Sequence, residues 1–355
     1  MELMAAQNPV KNDLHWIQAL RGIAALMVLF FHMHPHWDLV PILSLTSGLA
    51  RWGFSGVDIF FALSGFVVYR SAQRTVPMRG IWAFTKKRLL RIYLGYWPVL
   101  LAIALVTVYV HQEQLPALEK MVFSTLLLYP NIWDNWLSPA WSLTMEIYFY
   151  LWIGLIALLP ARYQIKAIIW VMSVLAAWGI GWLLVDPAGV VEGRQPLRYL
   201  LTGLGLEFLA GALLAHFYTI RAGFFMRPGS TIPLCVLLMI AGLSLGMTSP
   251  FFDRVEVLRA ISFGLMGLSA LVVALTLEQT RYSPPRWLVA VGDASYSLYL
   301  LHTFLLDWAG RLRVQWALDG TPAVLPYLLA MPVCIVLISL LWYRWIEKPI
   351  MKAAL

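Results

Sequence analysis

Charge is what this sequence has least of: Asp, Glu, Lys and Arg make up 12% of its 355 residues, about half the roughly 25% usual in a water-soluble domain. Beside 61% apolar residues, that scarcity excludes a soluble fold and places the chain in a bilayer. Cysteine is scarce too. Cys235 and Cys334 each sit inside a long apolar run, so they read as small core hydrophobes and exclude a disulfide framework, a metal site or a redox motif. A cleavable leader is also missing: Met1 to Leu14 is polar, and the first long apolar run has no small-residue cleavage site after it, so it is expected to stay as a helix. No repeat, low-complexity tract or second soluble domain interrupts the rest.

What is present is apolar length. A membrane-crossing helix needs roughly 20 mostly apolar residues, and ten windows qualify: Trp16 to His36, Trp52 to Arg70, Ile92 to Val110, Ala140 to Leu159, Ala167 to Val185, Leu197 to Phe217, Ile232 to Met247, Leu258 to Leu277, Leu288 to Trp308 and Ala323 to Tyr343. Glu119 to Tyr129 is apolar enough to be an interfacial helix rather than a free loop. The expected fold is all-α, a polytopic integral membrane protein of about ten transmembrane helices. It forms a single membrane domain over 1–355, with a cytoplasmic N-terminal segment at 1–15, the helices within 16–343 and a cytoplasmic tail at 344–355.

Lys and Arg orient such a chain, because short cytoplasmic loops carry the positive excess. Between Arg70 and Arg91 stand Arg70, Arg74, Arg79, Lys86, Lys87, Arg88 and Arg91 with no acid among them. That loop belongs in the cytoplasm, and both termini with it. The net charge of +8 is then a topology signal, and no nucleic-acid partner is expected.

Ionisable groups at membrane depth cost roughly 2.5–3.5 kcal/mol on insertion scales and by default mark a functional interior. Arg21, Asp58, Glu146, Glu207 and Asp293 are such groups here. From Arg21 to His32 is eleven steps, three turns plus about 20°, with a rise of roughly 16 Å, so one face of the first helix carries both. His36 is about 60° off that face and His34 about 140°. On the expected orientation Asp58 and Glu146 each lie roughly 9 Å below the outer end of their helices; His32 and His302 share that half. Arg21, Arg88, Arg91 and Asp293 fall at the inner end. Two clusters are expected, imidazoles with carboxylates toward the outside and arginines toward the cytoplasm. A neutral imidazole oriented by a carboxylate can take a proton from a hydroxyl, and a guanidinium fork suits phosphate. Topology alone would account for Arg88 and Arg91, and packing alone for a lone buried histidine. Neither accounts for Arg21, one turn inside the apolar run.

At these residues the sequence resembles the acyltransferase-3 family of membrane O-acyltransferases. The first-helix pattern of an arginine, ten residues and a histidine is met in L-R-G-I-A-A-L-M-V-L-F-F-H by Arg21 and His32. The string G-V-D-x-F-F-x-x-S-G-F is met from Gly56 through Asp58 and Ser64 to Phe66, and the arginine pair before the third helix by Arg88 and Arg91. W-S-L-x-x-E-x-x-F-Y-L falls on Trp141 to Leu151 with Glu146 as its acid, G-D-A-S-Y-S-L-Y-L-L-H on Gly292 to His302, and E-K-P on Glu347 to Pro349. Ser64, Tyr296 and His302 stand within these strings as supporting positions. One departure is that Ile147 follows Glu146 where the family often has a second acid.

The resemblance implies transfer of an acyl group, commonly acetyl from cytoplasmic acetyl-CoA, to a hydroxyl of a carbohydrate acceptor, a glycan or lipid-linked glycan at the outer face of the cell's inner (plasma) membrane. Acyl-CoA is then a substrate, with no permanently bound cofactor, and membrane lipid is the other partner. The chain ends at Leu355 without the hydrolase-like domain that some members append, and is expected to be a standalone member. The roles expected are donor phosphates on Arg21, Arg88 or Arg91, and His32 as general base with Asp58 or Glu146 orienting it; an acyl-histidine intermediate is a second route. The rival is a proton-coupled transporter of an anionic small molecule or glycan intermediate, with Asp58, Glu146, Glu207 and the histidines as relay. Ten helices suit either, but the inverted repeats a transporter often shows are not visible.

Overall fold

The computed structural model describes residues 14–117, 121–129, 135–185, 201–220, 222–225, 227–248 and 256–354. Among these residues there is no strand, as expected for apolar runs that can satisfy their backbone in lipid only within a helix. The main elements are α1 (His15–Trp37), α2 (Gly56–Tyr109), α3 (Trp141–Ala157), α4 (Ala161–Val185), α5 (Leu204–Ile220), α6 (Pro228–Met247), α7 (Glu256–Leu277), α8 (Arg286–Asp293), α9 (Ser295–Gln315) and α10 (Val324–Ala354). All ten apolar windows fall on helix; the start of the sixth, Leu197 to Leu200, and the N-terminal segment before Leu14 lie outside the described residues. Seven helices among the described residues are long and apolar enough to cross a membrane, or eight when the bent pair of α8 and α9 is taken as one span.

Two expectations about connections are corrected. The basic stretch from Arg70 to Arg91 is helical rather than a loop, part of the 54-residue α2. At 1.5 Å per residue α2 would be about 80 Å long, more than twice a bilayer core of roughly 30 Å. It breaks at Gly80, whose φ of 77° and ψ of 168° lie outside the helical region and suit a residue without Cβ. The ninth window is likewise two helices, α8 and α9, bent by 74° at Ala294.

Packing fixes α1. Its N-terminal N–H groups have no partners inside the helix, and Glu278 supplies one: Trp16 N and Ile17 N donate to its Oε1 at 2.5 and 3.2 Å. Against α8 the contact is backbone to backbone. A Cβ on Gly292 would come within 1.8 Å of Gln18 O, and one on Gly22 within 2.7 Å of Leu288 O. These two glycines flank Arg21 and Asp293, so their helices touch where those charges sit. A second crossing joins α2 to α5, where Cβ atoms on Gly65 and Gly211 would reach 1.8 Å from Phe208 O and 1.9 Å from Ala62 O.

The segment expected as an interfacial helix lies against α2. Residues 118–120 are outside the described set, but from Met121 the chain makes one helical turn. Its carbonyls accept from Tyr93 Oη (to Leu127 O, 2.9 Å), Tyr96 Oη (to Thr125 O, 2.9 Å) and Trp97 Nε1 (to Leu126 O, 3.2 Å). Trp136 N in turn donates to Thr125 Oγ1 at 3.3 Å. Tyr96 is about 20 Å short of the C-terminal end of α2, so the chain folds back along that helix before α3 begins.

Candidate active site

One cavity of about 540 Å³ collects side chains from five helices. From α1 it takes Arg21 and Gln18, from α2 Ser64, Arg88 and Arg91, from α3 Ser142, Glu146 and Tyr150, and from α8 and α9 Asp293, Tyr296 and Tyr299. On α3 these residues recur at every fourth position, which puts them on one face. Arg21 is partly buried among charges: it donates through Nη1 to Gln18 Oε1 at 3.2 Å, with Arg91, Glu347, Asp293 and Glu146 as its electrostatic neighbours. Glu146 accepts from Tyr150 Oη at 2.8 Å. The Arg88 guanidinium stands 5.8 Å from the ring centroids of both Phe84 and Tyr150. Its Nε is buried with no hydrogen-bond partner among the described residues. Tyr296 Oη donates to Ile92 O at 2.8 Å, holding α9 against α2. Glu347, from the E-K-P string, is buried and accepts from Ser297 Oγ, bracing α10 against α9.

The imidazoles sit beyond the far end of this cavity. Phe60 and Tyr299 line it on that side with ring centroids 6.0 Å apart, and the Tyr299 ring is 5.8 Å from that of His302. His302 is 1% exposed. Its Nδ1 lies 2.7 Å from Tyr299 O and its Nε2 lies 3.2 Å from His32 Nδ1, which is itself 2.9 Å from Val28 O. The two rings are edge to face, 4.7 Å between centroids.

The expected clusters therefore divide differently. Glu146 lines one cavity with Arg21, Arg88 and Arg91. Asp58 is not on His32 either. Both its oxygens are taken by Arg259, Nε to Oδ1 and Nη2 to Oδ2 at 2.8 Å each, and that guanidinium also stacks 4.9 Å from the Phe54 ring. Glu207, a relay acid in the rival transport reading, is an electrostatic neighbour of both Asp58 and Arg259. Its two oxygens are buried without hydrogen-bond partners among the described residues. No hydrogen bond joins His32 to Asp58 or Glu146 among the described residues; its side-chain partner is His302. Ser64 and Tyr296 line the cavity with the arginines.

Arg259, Tyr150 and Tyr299 had no role in the sequence reading. Arg259 stands at the edge of the eighth apolar window, and α7, which begins at Glu256, carries it in its first turn. Tyr150 had a usable signal, four residues after Glu146 and so on the same face.

The family described as an acyltransferase domain matches residues 14–343. Among curated proteins the chain is similar to O-acetyltransferase OatA of Staphylococcus aureus (strain NCTC 8325 / PS 47), 24% identical over 364 aligned residues that cover 95% of this chain and 57% of the relative. The same figures hold for O-acetyltransferase OatA of Staphylococcus aureus (strain COL). The chain thus spans little more than half the length of these relatives. No solved structure matches it.

Proposed function

This chain belongs to the acyltransferase domain family, and we propose that it moves an acyl group, acetyl in the first instance, from acyl-coenzyme A to a hydroxyl of a cell-surface or exported glycan. The observation that carries the donor half is the convergence of Arg21, Arg88 and Arg91 on one cavity, with the buried Arg88 Nε lacking a hydrogen-bond partner among the described residues. Three guanidinium groups suit the phosphates of a coenzyme A thioester. From Arg21 to His32 the first helix rises roughly 16 Å, of the order of an extended pantetheine arm, so the thioester would end near Phe60 and Tyr299, beside the imidazole pair.

In this reading His32 accepts the proton of the acceptor hydroxyl as its oxygen bonds to the thioester carbonyl carbon. The carbon–sulfur bond then breaks, and the proton returns from the imidazolium to the departing thiolate. Glu146 balances the arginine charge in the donor cavity. Asp58 braces the protein through Arg259 instead of orienting His32. The test is purified full chain in detergent with radiolabelled acetyl-coenzyme A and a polysaccharide acceptor. Label in the glycan supports the reading; no label, with uptake of an anion into reconstituted vesicles, would overturn it in favour of transport.

Two further results are expected. In Arg88→Lys, coenzyme A binding by calorimetry should weaken by about 1.5–3 kcal/mol, the range for a charge-assisted hydrogen bond, and so up to roughly a hundredfold, because lysine offers a point charge in place of the planar fork. Unchanged affinity would remove Arg88 from the donor site. The proposed orientation has the exposed Arg74 and Arg79 facing the cytoplasm. Cysteines introduced there should resist membrane-impermeant thiol reagents in intact cells, and labelling from outside would invert the scheme.

A further inference from the structure

We infer that His302 is a positioning residue, whose Nε2 accepts from the Nδ1–H of His32 and leaves His32 Nε2 as the nitrogen with the free lone pair. The inference rests on the proposed role of His32 for its functional meaning, but the tautomer is fixed by contacts that need no substrate. A carbonyl oxygen can only accept. Tyr299 O, 2.7 Å from His302 Nδ1, therefore puts the proton of a neutral His302 on Nδ1 and leaves its Nε2 bare. By the same argument Val28 O, 2.9 Å from His32 Nδ1, puts the His32 proton on Nδ1. The 3.2 Å contact between His32 Nδ1 and His302 Nε2 then has one donor and one acceptor, and the His32 N–H is shared between His302 and Val28 O. The opposite assignment, His302 Nε2–H into His32 Nδ1, would aim a lone pair at each of two carbonyl oxygens. In a buried site each such mismatch forfeits a hydrogen bond.

His302 thus does for His32 what the sequence suggested for Asp58 or Glu146. It has a neutral acceptor to offer, where an acid would bring a charge into a buried site. When His32 takes the hydroxyl proton on Nε2, its Nδ1–H keeps both acceptors while the ring becomes positive, and the ring cannot swing out of line. His302 itself neither gains nor loses a proton.

The experiment uses the full chain in detergent with ¹⁵N-histidine, the His32 signals being assigned by their loss in His32→Gln. Wild-type protein should show His32 with a protonated Nδ1 and a bare Nε2. His302→Ala should mix the His32 tautomers and lower kcat on the order of 10- to 100-fold, as losing the hydrogen bond that orients a working imidazole does at metal sites, with little change in the apparent KM for the donor. His302→Gln, whose Oε1 can stand near the lost Nε2, should recover the tautomer and part of kcat. A bare Nδ1 on His32 in the wild type, or His302→Ala with wild-type kcat and tautomer, would overturn the inference. The wild-type tautomer and its mixing in His302→Ala, found in a protein that transfers no acyl group, would leave the positioning intact and sink the proposed function instead.

Discussion

In His32→Ala, acyl transfer is expected to fall by roughly 10²–10⁴-fold, the usual contribution of a positioned general base, with the protein still inserted and folded. The first half follows from the ring's setting: His32 is the imidazole on the Arg21 face of α1, it is partly accessible, and its Nδ1 is already engaged by Val28 O and His302. Its other nitrogen is the base that the proposed reaction uses. The second half follows from the helix. Alanine is the best helix former, and α1 is held by the Glu278 cap and by the backbone contact at Gly22 and Gly292, neither of which involves residue 32. The control is His36→Ala, a residue in the last turn of α1 and the partly exposed neighbour of Gly310. It should keep wild-type transfer. The measurement is label transfer from acetyl-coenzyme A with both variants at matched membrane levels. Full activity in His32→Ala together with loss in His36→Ala would show that the facing argument chose the wrong histidine.

Periodicity and apolar length carried most of the fold, because in a bilayer the backbone has to satisfy itself and nearly every apolar run becomes a helix. The joints between the runs were less legible. Charge density made Arg70 to Arg91 look like a loop, although a basic segment at a membrane surface can stay helical as long as its side chains reach water, and Arg74, Arg79, Lys86 and Lys87 are exposed on it. The 74° bend at Ala294 was hidden inside one continuous apolar window. It lies next to the crossing at Gly292, where α8 lies against α1 with no side chain between, a contact between residues far apart in the chain.

At the site, facing was readable and depth was not. The eleven-residue step from Arg21 to His32 needs only the helix geometry, and it joins a residue of the cavity to the imidazole beyond the cavity's end. Depth required knowing where each helix meets the membrane surface. For α3 the chain before it folds onto Tyr93, Tyr96 and Trp97, and the cavity joins Glu146 to the arginines that the helix count had set at the opposite end. Depth also cannot choose among partners at one level: Asp58 was set beside His32, while a cation at the end of a helix two hundred residues later was the one that reached it.

Asp58→Ala is accordingly expected to destabilise the protein by about 3–5 kcal/mol, the cost of breaking a buried ion pair from one side. Asp58 is 0% exposed, and both its oxygens face the Arg259 fork, so this pair ties α2 to α7. Removing the carboxylate takes the two-point partner from a mostly buried guanidinium, a loss that the cation–π contact with Phe54 offsets only weakly. Glu207 is an acid beside the pair, with oxygens that lack hydrogen-bond partners among the described residues, and it should recover part of the loss by turning toward Arg259. The double variant Asp58→Ala with Glu207→Ala should therefore lose more than its two single variants together. Conversely, Asp58→Leu with Arg259→Met replaces both charges by apolar groups and should melt near or above the wild type. Thermal unfolding in detergent of these variants, beside transfer rates for Asp58→Asn, separates brace from catalyst. An Asp58→Asn protein that melts like the wild type but loses transfer as steeply as His32→Ala would return Asp58 to the chemistry of the imidazole, and the Arg259 pair would then be the device that aims it.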